Sequence, residues 1–205
     1  ASTGTTFGCR AIPPPPKGSG FSRKYVMSKK VGILGAAFNP PSIGHEDLIK
    51  QALSYVDEVW LVPSYKHAFS KKMLPYEVRC ELLVDFASDI GMPDAVIPMP
   101  LEHLIYSGGA VYTWDLLNYI ESIKQPGDEI VFLMGPDNKD GWSRFYRSDD
   151  IMARWELFVA KEAKQVRSTM IRNAVASGSQ YRGMVTQRVG EKIETLGLYR
   201  DSGNK

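Results

Sequence analysis

Several features are scarce or missing in this 205-residue chain, and each absence narrows its reading. Two cysteines are too few for a disulfide framework. Cys9 lies in the first 26 residues, and Cys80 lies in a helical stretch where it reads as a small core hydrophobe. No apolar run approaches the ~18 residues of a membrane span, and no internal repeat is present. Residues 1–26 contain no acid, only Arg10, Lys17, Arg23 and Lys24. The formal net charge of +2 therefore hides a slightly acidic remainder, with 21 basic against 23 acidic residues. Such a body has no electrostatic footprint for nucleic acid, so any phosphate ligand must be held by local groups. No Ser-His-Asp or Cys-His pattern for covalent catalysis is evident, and no set of metal ligands.

What is present is the composition of a globular protein: 43% hydrophobic and 23% charged residues, at a length suited to one α/β domain with a substantial core. Residues 1–26 stand apart. They contain Pro13 to Pro16 and then Gly18-Ser19-Gly20 without helical or strand periodicity, and read as a flexible leader or expression remnant. Met27 is a plausible native start, which leaves residues 27–205 as a single domain; the expected location is cytoplasmic. Apolar runs at 31–34, 58–62, 95–98, 129–134 and 156–160 read as strands. Amphipathic stretches at 46–56, 75–87, 113–124, 168–176 and 185–196 read as helices. Pro75 suits a first helical position. This alternation predicts a Rossmann-like, doubly wound parallel sheet of about five strands with helices on both faces. Ligands in such sheets lie beyond the C-terminal strand ends, where the most distinctive segments fall.

The first of these segments is Gly35-Ala36-Ala37-Phe38-Asn39-Pro40-Pro41-Ser42-Ile43-Gly44-His45. It follows a buried-strand pattern and precedes a helical one. A glycine-containing strand-to-helix turn can hold phosphate on backbone N–H groups and a helix N-terminus. The second is Arg167-Ser168-Thr169-Met170-Ile171-Arg172, where Ser or Thr can cap a helix and donate to an anion. Arg172 adds a planar charged fork suited to phosphate oxygens.

The first segment resembles the G-x-F-[D/N]-P-x-H-x-G-H turn of the nucleotidyltransferase superfamily, matching at Phe38, Asn39, Pro40, Gly44 and His45, with Gly35 aligned to one of the family's paired glycines. Ser42 stands where the first histidine usually does, and the Asn-Pro-Pro-Ser form looks like one bacterial branch of the pyridine-nucleotide adenylyltransferases. The second segment resembles the family's S-[S/T]-x-x-[I/L]-R signature, with Arg167 in place of its first serine. Tyr112-Thr113 and Gly135-Pro136-Asp137 resemble two further family segments, so the likeness runs from about Val31 to about Tyr199.

The resemblance implies an adenylyltransferase that joins ATP to nicotinamide or nicotinate mononucleotide, with Mg²⁺ bound through the ATP phosphates. It carries a functional role to His45, Ser42 and Arg172 as catalytic groups. ATP contacts carry over to Gly35, Phe38, Asn39, Gly44, Arg167, Ser168 and Thr169. Mononucleotide contacts carry over to Lys66, Arg79, Tyr112, Thr113, Asp137, Trp142 and Tyr146. The loop holding Lys66, His67, Lys71 and Lys72 is basic, though charge clusters are often solvated faces. Trp60, Trp114 and Trp155 read as core, and His103 is unassigned. The expected partners are the two substrates, with neither nucleic acid nor membrane; association into a homo-oligomer stays open. The rival readings are a sibling chemistry, such as pantetheine-phosphate adenylyltransferase or a cytidylyltransferase, and a non-catalytic nucleotide sensor.

Overall fold

In a computed structural model, residues 27–66, 73–162 and 164–200 are described. The leader, the segment carrying His67, Lys71 and Lys72, and the last five residues lie outside them. Five strands form one parallel sheet: β1 Lys30–Ala36, β2 Glu58–Pro63, β3 Val96–Pro98, β4 Glu129–Met134 and β5 Glu156–Val159. Their spatial order is β3-β2-β1-β4-β5. The order reverses beside β1, whose two neighbours run on opposite sides of it. Both connections leave the C-terminal ends of their strands there, which opens a crevice at that edge.

The helices are α1 Ile43–Ala52, α2 Tyr76–Ile90, α3 Glu102–Ile105, α4 Thr113–Ile123, α5 Pro136–Asp140, α6 Ser148–Arg154, α7 Ser168–Ser177 and α8 Gln187–Leu196. Side-chain alternation along the strands splits the core in two. Leu34, Val59, Leu61, Val131 and Leu133 face the layer of α1, α2, α7 and α8, against Ile49, Leu82, Phe86, Ile171 and Ile193. Val31, Ile33, Val62, Ile130 and Phe132 face the other side, against Leu117, Ile120, Trp142, Ile151 and Trp155. Each fully buried side chain of this size contributes roughly 1.5–3 kcal/mol. At Gly32 a Cβ would lie 2.8 Å from Leu133 Cδ1 and 3.1 Å from Val56 Cγ2, so a larger residue there would have to displace both side chains.

The expected strands and long helices are present with ends shifted by a few residues. The largest shift is at α1, which starts at Ile43 because Ser42 caps it. Pro75 occupies the cap of α2 instead of its first turn. Trp155 is buried, whereas Trp60 and Trp114 are half-buried: the Trp60 indole N–H donates to Glu58 and the Arg147 guanidinium lies 4.0 Å from the Trp114 ring centre. Among the described residues no helix is long and apolar enough to cross a membrane.

Candidate active site

The turn after β1 delivers His45 to the crevice. Phe38 takes a left-handed backbone conformation (φ 48°) and is buried, its ring centre 4.9 Å from that of His45. Ser42 and His45 then cap α1 reciprocally. The Ser42 hydroxyl accepts from the His45 backbone N–H at 3.4 Å, and the Ser42 backbone N–H donates to His45 Nδ1 at 3.0 Å. Ser42 Oγ also lies 3.1 Å from Nδ1. A backbone N–H can only donate, so Nδ1 must carry a lone pair and the ring proton sits on Nε2. Burial pushes the His45 pKa down to about 4. The result is a neutral imidazole that offers one N–H at the N-terminus of a ten-residue helix, an environment favourable to an anion.

A cleft of about 290 Å³ opens there. Its floor is Leu34, Gly35 and Ala36; one side is Ser42, Gly44 and His45; the other is Gly135 to Asn138 after β4. A strap after β5, including Lys161, Glu162, Lys164, Val166, Arg167 and Ser168, forms the remaining wall. A Cβ at Gly44 would lie 2.3 Å from the Val166 carbonyl oxygen. Only glycine lets the strap come this close to the helix start.

The two signature segments meet through hydrogen bonds. Ser168 Oγ donates to the Pro40 carbonyl at 2.7 Å, and Arg172 Nη1 donates to the Asn39 carbonyl at 2.8 Å. Arg172 Nη2 also donates to Thr169 Oγ1 at 3.1 Å. Arg172 thus sits against the turn, behind the cleft wall. Arg167 lies in the wall and bridges two carboxylates, Asp137 across the mouth and Glu162 at 2.6 Å beside it.

Several residues expected at a ligand are buried and make their contacts within the protein. Arg79 is almost wholly buried (1% exposed) and donates to four carbonyls: Ser64 at 2.7 Å, Ala37 at 2.8 Å, Leu74 at 2.9 Å and Tyr65 at 3.4 Å. A buried guanidinium must have its donors satisfied, and here they hold the chain beyond β1 and β2 together. Arg79, Leu82, Leu83 and Phe86 follow the i, i+3, i+4, i+7 rule, so its place on the buried face of α2 was readable from spacing. Asn39 is buried too; its Oδ1 accepts from the Leu74 N–H at 3.3 Å and the Tyr199 hydroxyl at 2.8 Å. Phe38 packs beneath the turn. Trp142, expected to stack on a ligand, is 9% exposed and packs against Phe132 and Phe145.

Of the remaining expected mononucleotide contacts, Asp137 lines the cleft, whereas Lys66, Tyr112, Thr113 and Tyr146 do not. Tyr112 and Tyr146 are exposed, with ring centres 4.8 Å apart. Thr113 opens α4 beside Tyr112. Lys66 donates to the Tyr106 hydroxyl at 3.1 Å. It joins an aromatic group of Tyr65, Tyr76, His103 and Tyr106 that no sequence pattern announced. Beneath that group Glu102 is buried, which pushes its carboxyl up to about 8 against the opposing pull of the Tyr65 N–H and Arg79.

Residues 33–174 match the sequence model of the family described as Cytidylyltransferase-like. A solved structure described as a putative nicotinate-nucleotide adenylyltransferase from Vibrio parahaemolyticus is 38% identical, with a TM-score of 0.73, covering 85% of this chain and 97% of the other. A probable nicotinate-nucleotide adenylyltransferase of Anaeromyxobacter dehalogenans is 28% identical over 188 residues, covering 84% of this chain and 97% of its own length. The fold is also that of a Plasmodium falciparum nicotinic acid mononucleotide adenylyltransferase complexed with NaAD, at 16% identity and a TM-score of 0.68, over 83% of this chain and 97% of that one.

Proposed function

Because the chain belongs to the cytidylyltransferase-like family of nucleotidyltransferases, we propose that it joins ATP to nicotinate mononucleotide, releasing pyrophosphate and the acid dinucleotide. The observation that carries this reading is the reciprocal Ser42–His45 cap at the mouth of a cleft whose far wall is the Arg167–Ser168 segment. The relatives named for nicotinate-nucleotide adenylyl transfer favour the acid over the amide substrate.

In the reaction an oxygen of the mononucleotide phosphate attacks the α-phosphorus of ATP. A new P–O bond forms while the bond to the bridging oxygen breaks, and pyrophosphate leaves with the electron pair. Such a transfer needs alignment and charge stabilisation more than covalent help. The first N–H groups of α1 and His45 Nε2–H bind phosphate oxygens on one side. Lys161, Lys164, Arg167 and the Ser168 backbone N–H bind them from the strap. Arg172, Asn39 and Arg79 hold the turn that aims His45. Tyr112 and Tyr146 supply a flat apolar wall for the pyridine ring, Thr113 its neighbouring polar group, and Asp137 an acceptor for a ribose hydroxyl.

Among the described residues no cluster of three or more His, Cys, Asp and Glu is poised to hold a metal. Mg²⁺ bound chiefly by phosphate oxygens and water would need no such cluster. When bound, the ion would share the charge of the triphosphate.

The test is pyrophosphate release from ATP with nicotinate mononucleotide, nicotinamide mononucleotide and phosphopantetheine in parallel. The acid mononucleotide should give the highest kcat/KM. Turnover only with phosphopantetheine would reassign the substrate, and binding without turnover would make the protein a sensor.

A further inference from the structure

The strap that walls the cleft leaves the sheet with one flank unpaired. Its last ladder bond runs from the Ala160 N–H to the Met134 carbonyl at 2.9 Å. The next residue, Lys161, finds its partner in a side chain instead. Gln51 Nε2 donates to the Lys161 carbonyl at 2.9 Å, and the Lys161 N–H donates to Gln51 Oε1 at 2.9 Å. One amide thus takes both bonds that a neighbouring strand residue would make. Its orientation is fixed from within α1, because Nε2 also donates to Asp47 Oδ2 at 2.9 Å. Two acceptors face the NH₂ and one donor faces the oxygen, so only one amide flip satisfies the set.

We propose that Gln51 is a positioning residue for ATP: by gripping Lys161 it hangs the phosphate-facing strap from the same helix that carries His45. The strap also comes close to α1 at a second point, where the Val166 carbonyl lies against Gly44. The helix is then a ruler. His45 and Gln51 are six residues apart on α1, about 9 Å along its axis. Both walls of the triphosphate site take their spacing from one rigid element, and the Lys161, Lys164 and Arg167 side chains are set against His45 by it. The inference rests on the reading of this cleft as the ATP site.

The Gln51–Lys161 bonds are solvent-accessible, so water can replace them and their loss should cost the fold little. What their loss changes is the position of the strap. In Gln51→Met, of similar length but with neither bond, the strap's phosphate-facing groups are no longer held in place, and the Kd for ATP by calorimetry and the KM for ATP should both rise about tenfold, or about 1.4 kcal/mol. The KM for the mononucleotide, kcat and Tm should stay near those of the unaltered protein. Gln51→Glu keeps the acceptor but loses the donor and should also weaken ATP. Unchanged ATP affinity in Gln51→Met would overturn the inference, as would a uniform loss in ATP affinity, kcat and Tm, which marks a merely structural role. Calorimetry separates this from the proposed function: if the unaltered protein binds ATP but transfers nothing to any mononucleotide, the function reading fails while the effect of Gln51→Met on ATP binding is still measured.

Discussion

Ser42 and His45 are joined in both directions across the first turn of α1, and the pair sets the chemistry of the histidine ring. The Ser42 N–H fills Nδ1, leaving the Nε2 proton as the ring's donor. Ser42 therefore both caps α1 and orients the His45 ring.

Ser42→Ala tests that division of labour. Loss of the cap hydroxyl should cost about 0.5–2 kcal/mol of stability, read as a fall in Tm. The backbone bond to Nδ1 survives, so kcat should fall far less than on loss of His45 itself. A kcat loss equal to that of His45→Ala would make Ser42 an essential phosphate ligand.

The protonation state of His45 follows from the same contacts. Its pKa lies near 4, below its ordinary 6.5. The unfolded chain therefore takes up this proton first as pH falls, and His45 removes stability between pH 6.5 and about 4. From about pH 5 to 8 the ring of the unliganded protein stays neutral. Nitrogen NMR should show the Nε2–H tautomer across that window, and kcat/KM should show no His45 ionisation in it. Titration of this ring near pH 6.5 would contradict the account.

Gly44→Ala should disturb the site without touching a charge. Its methyl would lie 2.3 Å from the Val166 carbonyl oxygen, a backbone atom that can move only with the strap. ATP affinity should fall at least tenfold, with destabilisation of about 1–3 kcal/mol from overpacking. Calorimetry and thermal melts on the variant measure both; unaltered ATP binding would place the triphosphate elsewhere.

Glu102 gives a pH signature of the opposite sign. Burial raises its pKa from 4.5 to about 8, so between those values the unfolded chain ionises while the folded one does not. The folded state loses stability as pH rises through that window, and no further above it. Glu102→Gln keeps a neutral group of the same shape and should melt higher than the unaltered protein by a margin that widens from pH 5 to about 8. A constant margin would show that Glu102 is ionised in the native protein.

Much of this architecture was legible in the sequence because its signals are periodic or punctuated. The runs at 31–34 and 129–134 announce β1 and β4, and the glycines, prolines and hydroxyl residues after strands announce the turns. The helices α3, α5 and α6 span four, five and seven residues, too short for a 3.6-residue period to register. The burial of Trp142 and Asn39, and the placing of Arg79 among four carbonyls, depend on segments that meet only in three dimensions. A motif names which residues gather at a phosphate site; it does not say which of them touch the ligand and which hold the others still. The same limit hid Gln51, an unremarkable helical glutamine until residue 161 folds back beside it.

The central claim is that the neutral imidazole of His45 stabilises charge on the transferring phosphate. The direct measurement is kcat for dinucleotide formation from ATP and nicotinate mononucleotide by the unaltered protein and by His45→Ala, with circular dichroism to verify the fold. Loss of a preorganised donor of this kind should lower kcat by about 10²–10³-fold while the variant stays folded. Near-normal turnover in a folded His45→Ala protein would contradict the account.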